Sequence, residues 1–175
     1  MSERHITALV TGASAGLGAE FCRQLAPLCD RIIAVARRAD RLQSLARDLE
    51  QKVEVVPLVA DLNGVEGVAR CMEAIRQRGP VDYLVNNAGF STFGHFAEQP
   101  IDRQREMVSL HVDAAITLCR AAVPILRERG GGHIINVSSL GAFLPGSGLA
   151  VYGATKSFLN YFSLALQQEL AATGI

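Results

Sequence analysis

The stretch that decides the fold is "ITALVTGASAGLG", Ile6 to Gly18. An apolar, β-prone run passes directly into a turn with glycines at 12, 16 and 18, and a helical pattern follows. Such a turn allows a tight reversal, a close backbone approach to a ligand, and close packing of helix on strand. The free N–H groups at the start of the next helix then suit a pyrophosphate. Glycine-rich turns also arise for structural reasons alone, and this spacing differs from G-x-G-x-x-G. The rest of the chain has to decide between the two readings.

Outward from that turn, short β-rich runs alternate with helical patterns. The strand candidates are "ITALVTG" (6–12), "RIIAVAR" (31–37), "VEVVPLVADL" (53–62), "VDYLVNNAG" (81–89) and "HIINVSS" (133–139). All five read as apolar on both faces, the pattern of parallel strands covered by helices on two sides. Helices are predicted near 16–28, 39–50, 64–78, 103–129 and 150–172, with a loop and a short helix over 90–102. This βαβα order predicts an α/β fold, a doubly wound parallel sheet with helices on both faces. No repeat, low-complexity tract or linker divides the chain, so 1–175 is read as a single domain.

At 175 residues, with 49% hydrophobic and 19% charged residues, the chain can bury a real core and is not of disordered composition. Lys+Arg 17 balances Asp+Glu 17, which leaves no basic excess to drive nucleic-acid or anionic-membrane binding. No apolar run approaches the roughly 20 residues of a membrane span. "MSERHITALV" enters a strand almost at once, with no room for a signal peptide. Cys22, Cys29, Cys71 and Cys119 lack C-x-x-C spacing and read as free thiols in a reducing compartment, hence a cytoplasmic protein. The four histidines show no metal-ligand spacing, and no metal site is expected.

Two further segments carry chemistry. In "VYGATKSFL" (151–159), Tyr152 and Lys156 stand one helical turn apart on one face. A lysine snorkelling past a half-buried tyrosine looks the same. The alternative is a phenol, with a reference pKa of about 10, whose proton is made easier to move by a nearby cation. Ala154, Phe158, Phe162, Leu166 and Leu170 form an i,i+4 stripe two residues out of phase with that pair. The pair can therefore face a cleft while the stripe faces core or a partner subunit. The second segment is the end of the second predicted strand, where an acidic residue would hold a ribose hydroxyl. Ala36 stands there, followed by Arg37 and Arg38. Guanidinium groups suit a 2′-phosphate, so NADP(H) is favoured over NAD(H), which stays possible. For Arg38 and Arg41 a solvated basic turn is an equally good reading.

TGASAGLG (11–18), Asp61-Leu62, NNAG (86–89), Ser139 in "NVSS" and YGATK (152–156) occur in that order, with Tyr152 13 positions after Ser139. In these motifs the chain resembles the short-chain dehydrogenase/reductase family over Ile6 to Ile175. The resemblance implies a Rossmann-like sheet and an oxidoreductase moving a hydride between nicotinamide and a carbonyl or alcohol. It implies cofactor contacts at Gly12, Ser14, Gly16, Leu17, Gly18, Arg37, Asp61, Leu62, Asn87, Ala88 and Gly89. Asp61 would bind the adenine amino group, Asn86 and Asn87 would brace the central strands, and Ser139 would bind the substrate oxygen. Tyr152 would be the general acid/base. Lys156 would lower the Tyr152 pKa and hold the nicotinamide ribose. A homodimer or homotetramer is also implied. Phe90, Phe93, Phe96, Phe143 and Leu144 suggest an apolar substrate.

Two departures stand out. His111, in "VSLHVDAA", occupies a position where many relatives carry asparagine, associated with a helix distortion and a proton-relaying water. Packing alone accounts for a histidine there equally well. The chain also stops at "ELAATGI", where relatives continue through further strands that close over the nicotinamide. It is therefore expected to be C-terminally truncated, with "HIINVSS" left as a sheet edge, a tendency to self-associate and weak turnover. A nucleotide-binding remnant or sensor without turnover is the alternative function. A methyltransferase would share the glycine-rich turn but gives no reason for Tyr152 and Lys156.

Overall fold

Residues 5–77 and 80–175 are described by a computed structural model of the chain. Among the described residues, five strands form one parallel sheet: β1 (Thr7–Thr11), β2 (Arg31–Ala36), β3 (Glu54–Val59), β4 (Tyr83–Asn86) and β5 (His133–Asn136). Their spatial order is β3-β2-β1-β4-β5. Thr7 to Thr11 pair with Arg31 to Val35 on one side of β1, and Ala8 to Val10 pair with Tyr83 to Val85 on the other. The connections are α1 (Gly16–Leu25), α2 (Ala39–Leu49), α3 (Val65–Gln77), and a long helical run of α4 (Ile101–Val108), a π-turn (Ser109–Asp113) and α5 (Ala114–Glu128). The last helix is α6 (Ala150–Leu170). Arg78, the predicted end of the third helix, and Met1 to Arg4, the start of the supposed leaderless N-terminus, lie outside the described residues.

Strand alternation divides the interior into two cores. Ala8, Val10, Ile32 and Ala34 pack with Cys22 and Leu25 of α1 and with Leu42, Leu45 and Leu49 of α2. Leu9, Ile33, Val35 and Leu84 point the other way, onto Cys71 and Ile75 of α3 and Leu118, Ala122 and Leu126 of α5. The α2 leucines recur at i, i+3 and i+7, which makes one buried stripe on an otherwise charged helix. Asp40 in its first turn and Arg47 in its last complement the helix dipole. The architecture is the doubly wound, Rossmann-like sheet that the sequence predicts.

Three expectations are corrected or narrowed. Only β1, β2 and β4 are buried on both faces. β3 is an edge strand with Glu54, Pro57 and Val59 exposed, and β5 is half-exposed. A proline is tolerated in β3 because an edge strand leaves one row of N–H groups unpaired anyway. Second, the stripe on α6 is only partly covered. Phe162 and Leu166 rest against the α3–α5 core and Leu170 is buried, but Ala154 is exposed and Phe158 stacks on Phe162 with ring centroids 5.5 Å apart. Third, the run Ile101–Glu128 is long and apolar enough, by length and composition, to cross a membrane. Its apolar side is core instead, with Ala114, Leu118, Cys119, Ala121, Ala122 and Leu126 packed on the sheet.

Candidate active site

Parallel sheets open a crevice at the carboxyl ends of their strands, where neighbouring connections leave in opposite directions. Here that point lies between β1, which turns into α1, and β4, which runs into residues 87–100. A cleft of about 610 Å³ occupies it, within the usual range for ligand sites. Of the sequence candidates, Gly12, Ser14, Leu17, Arg37, Asp61, Leu62, Asn87, Ala88, Gly89, Tyr152 and Lys156 line it. Gly16 and Gly18 shape the turn behind the wall, and Ser139 stands just past the rim, with Ser138 on the lining.

The first end of the cleft is shaped by backbone. Gly12 has φ +69°, and a Cβ there would sit 2.8 Å from Asn87 Nδ2 and 2.9 Å from Ala88 Cα. A Cβ on Gly18 would run into the Gly12 carbonyl. The turn therefore closes only without side chains at these two positions. Thr11 ties it to β4: its hydroxyl accepts from the N–H groups of Asn87 (2.9 Å) and Ala88 (3.0 Å) and donates to the Val85 carbonyl (3.2 Å). Asn87 Nδ2 returns a bond to the Thr11 carbonyl at 2.9 Å. On the next strand, Asn86 Nδ2 donates to Asn136 Oδ1 at 2.8 Å and so clamps β4 to β5. Thr11 was not singled out from the sequence; its place at the strand end, directly before Gly12, was the available signal.

Two arginines stand beyond β2. Arg37 Nη1 lies 3.9 Å from Asp61 Oδ2, a loose and exposed pair. Arg38 donates from Nη2 (2.9 Å) and Nε (3.3 Å) to Ser14 Oγ and lines the cleft, rather than lying in a merely solvated turn. Asp61 Oδ1 accepts the Asn63 N–H at 3.0 Å, which orders the turn into α3.

The other end is built from side chains on α6. Lys156 is 5% exposed, its Nζ donates to the Val137 carbonyl at 2.8 Å, and it lies 6.0 Å from the Tyr152 ring centre. Burial lowers its pKa from the usual lysine value, because the charged form is poorly solvated there. Ser138 Oγ donates to the Lys156 carbonyl at 3.0 Å, and Ser139 Oγ accepts the Gly141 N–H at 3.1 Å. A Cβ on Gly141 would lie 3.5 Å from Ser139 Oγ and 3.4 Å from Tyr152 Cε1, so hydroxyl and ring flank one small space. His111, 2% exposed, sits in the π-turn with its ring edge-on to Tyr152 at 5.9 Å. Burial, followed by the charge of Lys156, pushes its pKa down to about 4. A cavity of about 10 Å³, the size of one water, is bordered by Thr11, Asn86, His111 and Lys156.

The whole of this geometry falls within a match to known proteins. A family model described as short chain dehydrogenase covers residues 6–175. A probable NADP-dependent dehydrogenase from Haemophilus influenzae is 36% identical over 172 residues, 97% of this chain and 67% of that protein. The bulky-bulky ketone specific alcohol dehydrogenase from Comamonas testosteroni superposes with a TM-score of 0.93 at 33% identity, over 98% of this chain and 70% of its own. A short-chain dehydrogenase from Sphingobium yanoikuyae in complex with NADPH gives 0.91 at 34% identity, over 96% and 66%. The chain belongs to the short chain dehydrogenase family and has the fold of its oxidoreductases.

Proposed function

We propose that this protein is an NADP-dependent carbonyl reductase or alcohol dehydrogenase acting on an apolar ketone or its alcohol. The observation that carries the reading is that one cleft joins an arginine-rich end, at Ser14, Arg37 and Arg38, to Tyr152 and a buried Lys156. The glycine turn is what would fit a dinucleotide phosphate to the site: Gly12 lines the cleft, and the turn keeps its shape only because a Cβ at Gly12 or Gly18 would strike Asn87, Ala88 or the Gly12 carbonyl. Gly12, Ser14, Leu17, Asn87, Ala88 and Gly89 would hold the phosphates and riboses, Asp61 and Leu62 the adenine, and Arg37 with Arg38 a 2′-phosphate. The NADPH complex and the NADP-dependent relative named above support the phosphorylated cofactor.

When bound, the nicotinamide supplies or accepts the hydride. The chain's own residues handle the proton and the charge. Tyr152 gives a proton to the carbonyl oxygen in reduction and takes it back in oxidation. Ser139 donates a hydrogen bond to the same oxygen, and Lys156 brings positive potential where negative charge develops. Phe90 on the cleft lining and the exposed Phe93, Phe96, Phe143 and Leu144 would receive an apolar substrate. The four free, buried cysteines suit a reducing compartment such as the cytoplasm; burial pushes the Cys22 thiol up to about 12. The half-covered face of α6 and the exposed β5 edge would suit a homodimer or homotetramer.

A panel of bulky aromatic ketones with NADPH and NADH, followed by nicotinamide absorbance, tests the reading. Consumption of NADPH in preference to NADH with the ketones is expected. Tight NADPH binding with no consumption for any carbonyl class would instead establish the binding protein without turnover. Absence of NADPH binding would overturn both.

A further inference from the structure

His111 makes a closed set of bonds that sets its protonation without reference to solvent. The Phe90 N–H points at Nε2 from 3.2 Å, so Nε2 must carry a lone pair. On the other side, Nδ1 lies 2.9 Å from Thr155 Oγ1. Thr155 gives its single hydroxyl proton to the Tyr152 carbonyl at 2.8 Å, so it can only accept from the ring. Nδ1 therefore bears the hydrogen. Both ends demand the same neutral tautomer. A doubly protonated ring would set two N–H groups against each other at Phe90 and add charge beside Lys156.

The two partners belong to different machinery. Tyr152 and Thr155 lie in the first two turns of α6, which present the phenol. Phe90 opens the 90–95 loop, whose Phe90 and Ser91 line the cleft, and its ring contacts both His111 (centroids 6.2 Å) and the Arg103 guanidinium (4.3 Å). The loop can approach this closely because residue 89 is glycine: a Cβ there would lie 2.7 Å from Nε2. The π-turn widens the helix at the position where the ring is inserted.

We propose that His111 is a two-ended positioning residue: its Nδ1–H fixes the helix turn that carries Tyr152, and its bare Nε2 fixes the backbone of the substrate-side loop at Phe90. The acid–base helix and the substrate loop then keep one mutual register. This rests on the carbonyl-reductase reading for its kinetic consequences, but not for the tautomer. The charged and titratable groups facing the ring are Lys156 and Tyr152 from α6, with Arg103 of α4 beyond the Phe90 ring.

Two substitutions separate the ends, because an asparagine amide nitrogen falls near Nδ1 and a glutamine amide oxygen falls near Nε2. H111N keeps the Thr155 bond and loses Phe90: kcat should stay within about twofold while KM for the ketone rises about tenfold. H111Q keeps Phe90 and loses Thr155: kcat should fall about tenfold with KM little changed. T155V should reproduce the H111Q loss, and T155S should restore activity. NADPH affinity should be unaffected throughout. Lower melting temperatures with kcat and KM unchanged in both histidine variants would overturn the proposal and leave a packing residue. Nitrogen-15 NMR of the ring in the full chain provides a readout independent of turnover. A protonated Nδ1 and bare Nε2 down to about pH 5 are expected. A bare Nδ1, or a doubly protonated ring near pH 6, would sink the idea even if the enzyme reading stands. The expected ring signal in a protein that fails the ketone assay would uphold the bond set while the enzyme reading falls.

Discussion

At the β1–β2 end of the cleft the walls are backbone and short turns, whereas at the α6 end they are side chains held by bonds between distant segments. The glycine turn needs a few consecutive residues and one strand neighbour. The Tyr152–Lys156 end needs Val137, Ser138, His111 and Phe90 brought from elsewhere in the chain. The first kind of wall fails sterically when a Cβ is added. The second fails by losing orientation while its shape survives. The two ends should therefore respond differently to substitution.

The largest expected effect is at the α6 end. Tyr152→Phe keeps the ring and removes only the proton, so kcat should fall by about 100- to 10,000-fold, the span of general acid–base catalysis. NADPH binding by fluorescence should barely move. Near-normal turnover of this variant would remove Tyr152 from the proton step and leave only the backbone end functional.

Gly12→Val attacks the opposite end. It forces a β-branched residue to φ +69° and a Cβ into Asn87 and Ala88. A stability loss of about 3 kcal/mol, with collapse of NADPH affinity, is expected in urea unfolding and cofactor titration. Unchanged affinity would mean that the cofactor does not rest on this turn.

Arg37→Ala and Arg38→Ala ask whether side chains contribute at the backbone end at all. Each should weaken NADPH binding by about 1.5–3 kcal/mol and leave NADH nearly untouched. Equal losses for both cofactors would show that the arginines act on the turn, through Asp61 and Ser14, and not on a phosphate.

An effect no larger than these is a pH dependence confined to the side-chain end. His111 is held neutral, with a pKa of about 4 against 6.5 for the free side chain. Below 6.5 the unfolded chain takes up a proton that the folded chain refuses. Stability therefore falls with pH down to about 4 and levels off below that, as far as this group is concerned. Between pH 7 and pH 5 the histidine should account for about 2 kcal/mol of lost unfolding free energy. That part should vanish in His111→Asn, measured by urea midpoints at both pH values. An unchanged slope in the variant would assign the dependence to other groups.

How far the sequence could be read follows the same division. Strand and helix positions came through because the apolar periodicity and the glycine turn are local. The edge position of "HIINVSS" as β5 was legible as well, whereas that of β3 was not, since its composition is much like that of the buried strands. The stripe on α6 illustrates the limit: Phe158, Phe162 and Leu166 promise a buried face. The deepest residues of that helix's active end are instead Thr155 and Lys156, a hydroxyl and a cation that find partners on the π-turn and on β5's exit. A periodicity argument counts apolar residues, and a polar residue buried by hydrogen bonds is invisible to it. Arg38 was open to a solvent reading for the converse reason, because its partner Ser14 lies 24 positions away.

Sequence alone determined the order of strands and helices, the Rossmann-like class, the place of the glycine turn, and the pairing of Tyr152 with Lys156. The turn and the pair depend on residues within a few positions of one another, and the class on a local βα pattern repeated along the chain. Tertiary structure decided that Asn86 clamps β4 to β5, that Thr11 locks the turn to Asn87 and Ala88, and that Arg38 rests on Ser14. It also decided that His111 is a neutral link between Phe90 and Thr155. Those outcomes depend on single hydrogen bonds across 21 to 76 or more positions of chain, and only packing of the two cores against one sheet brings such atoms within 3 Å or so.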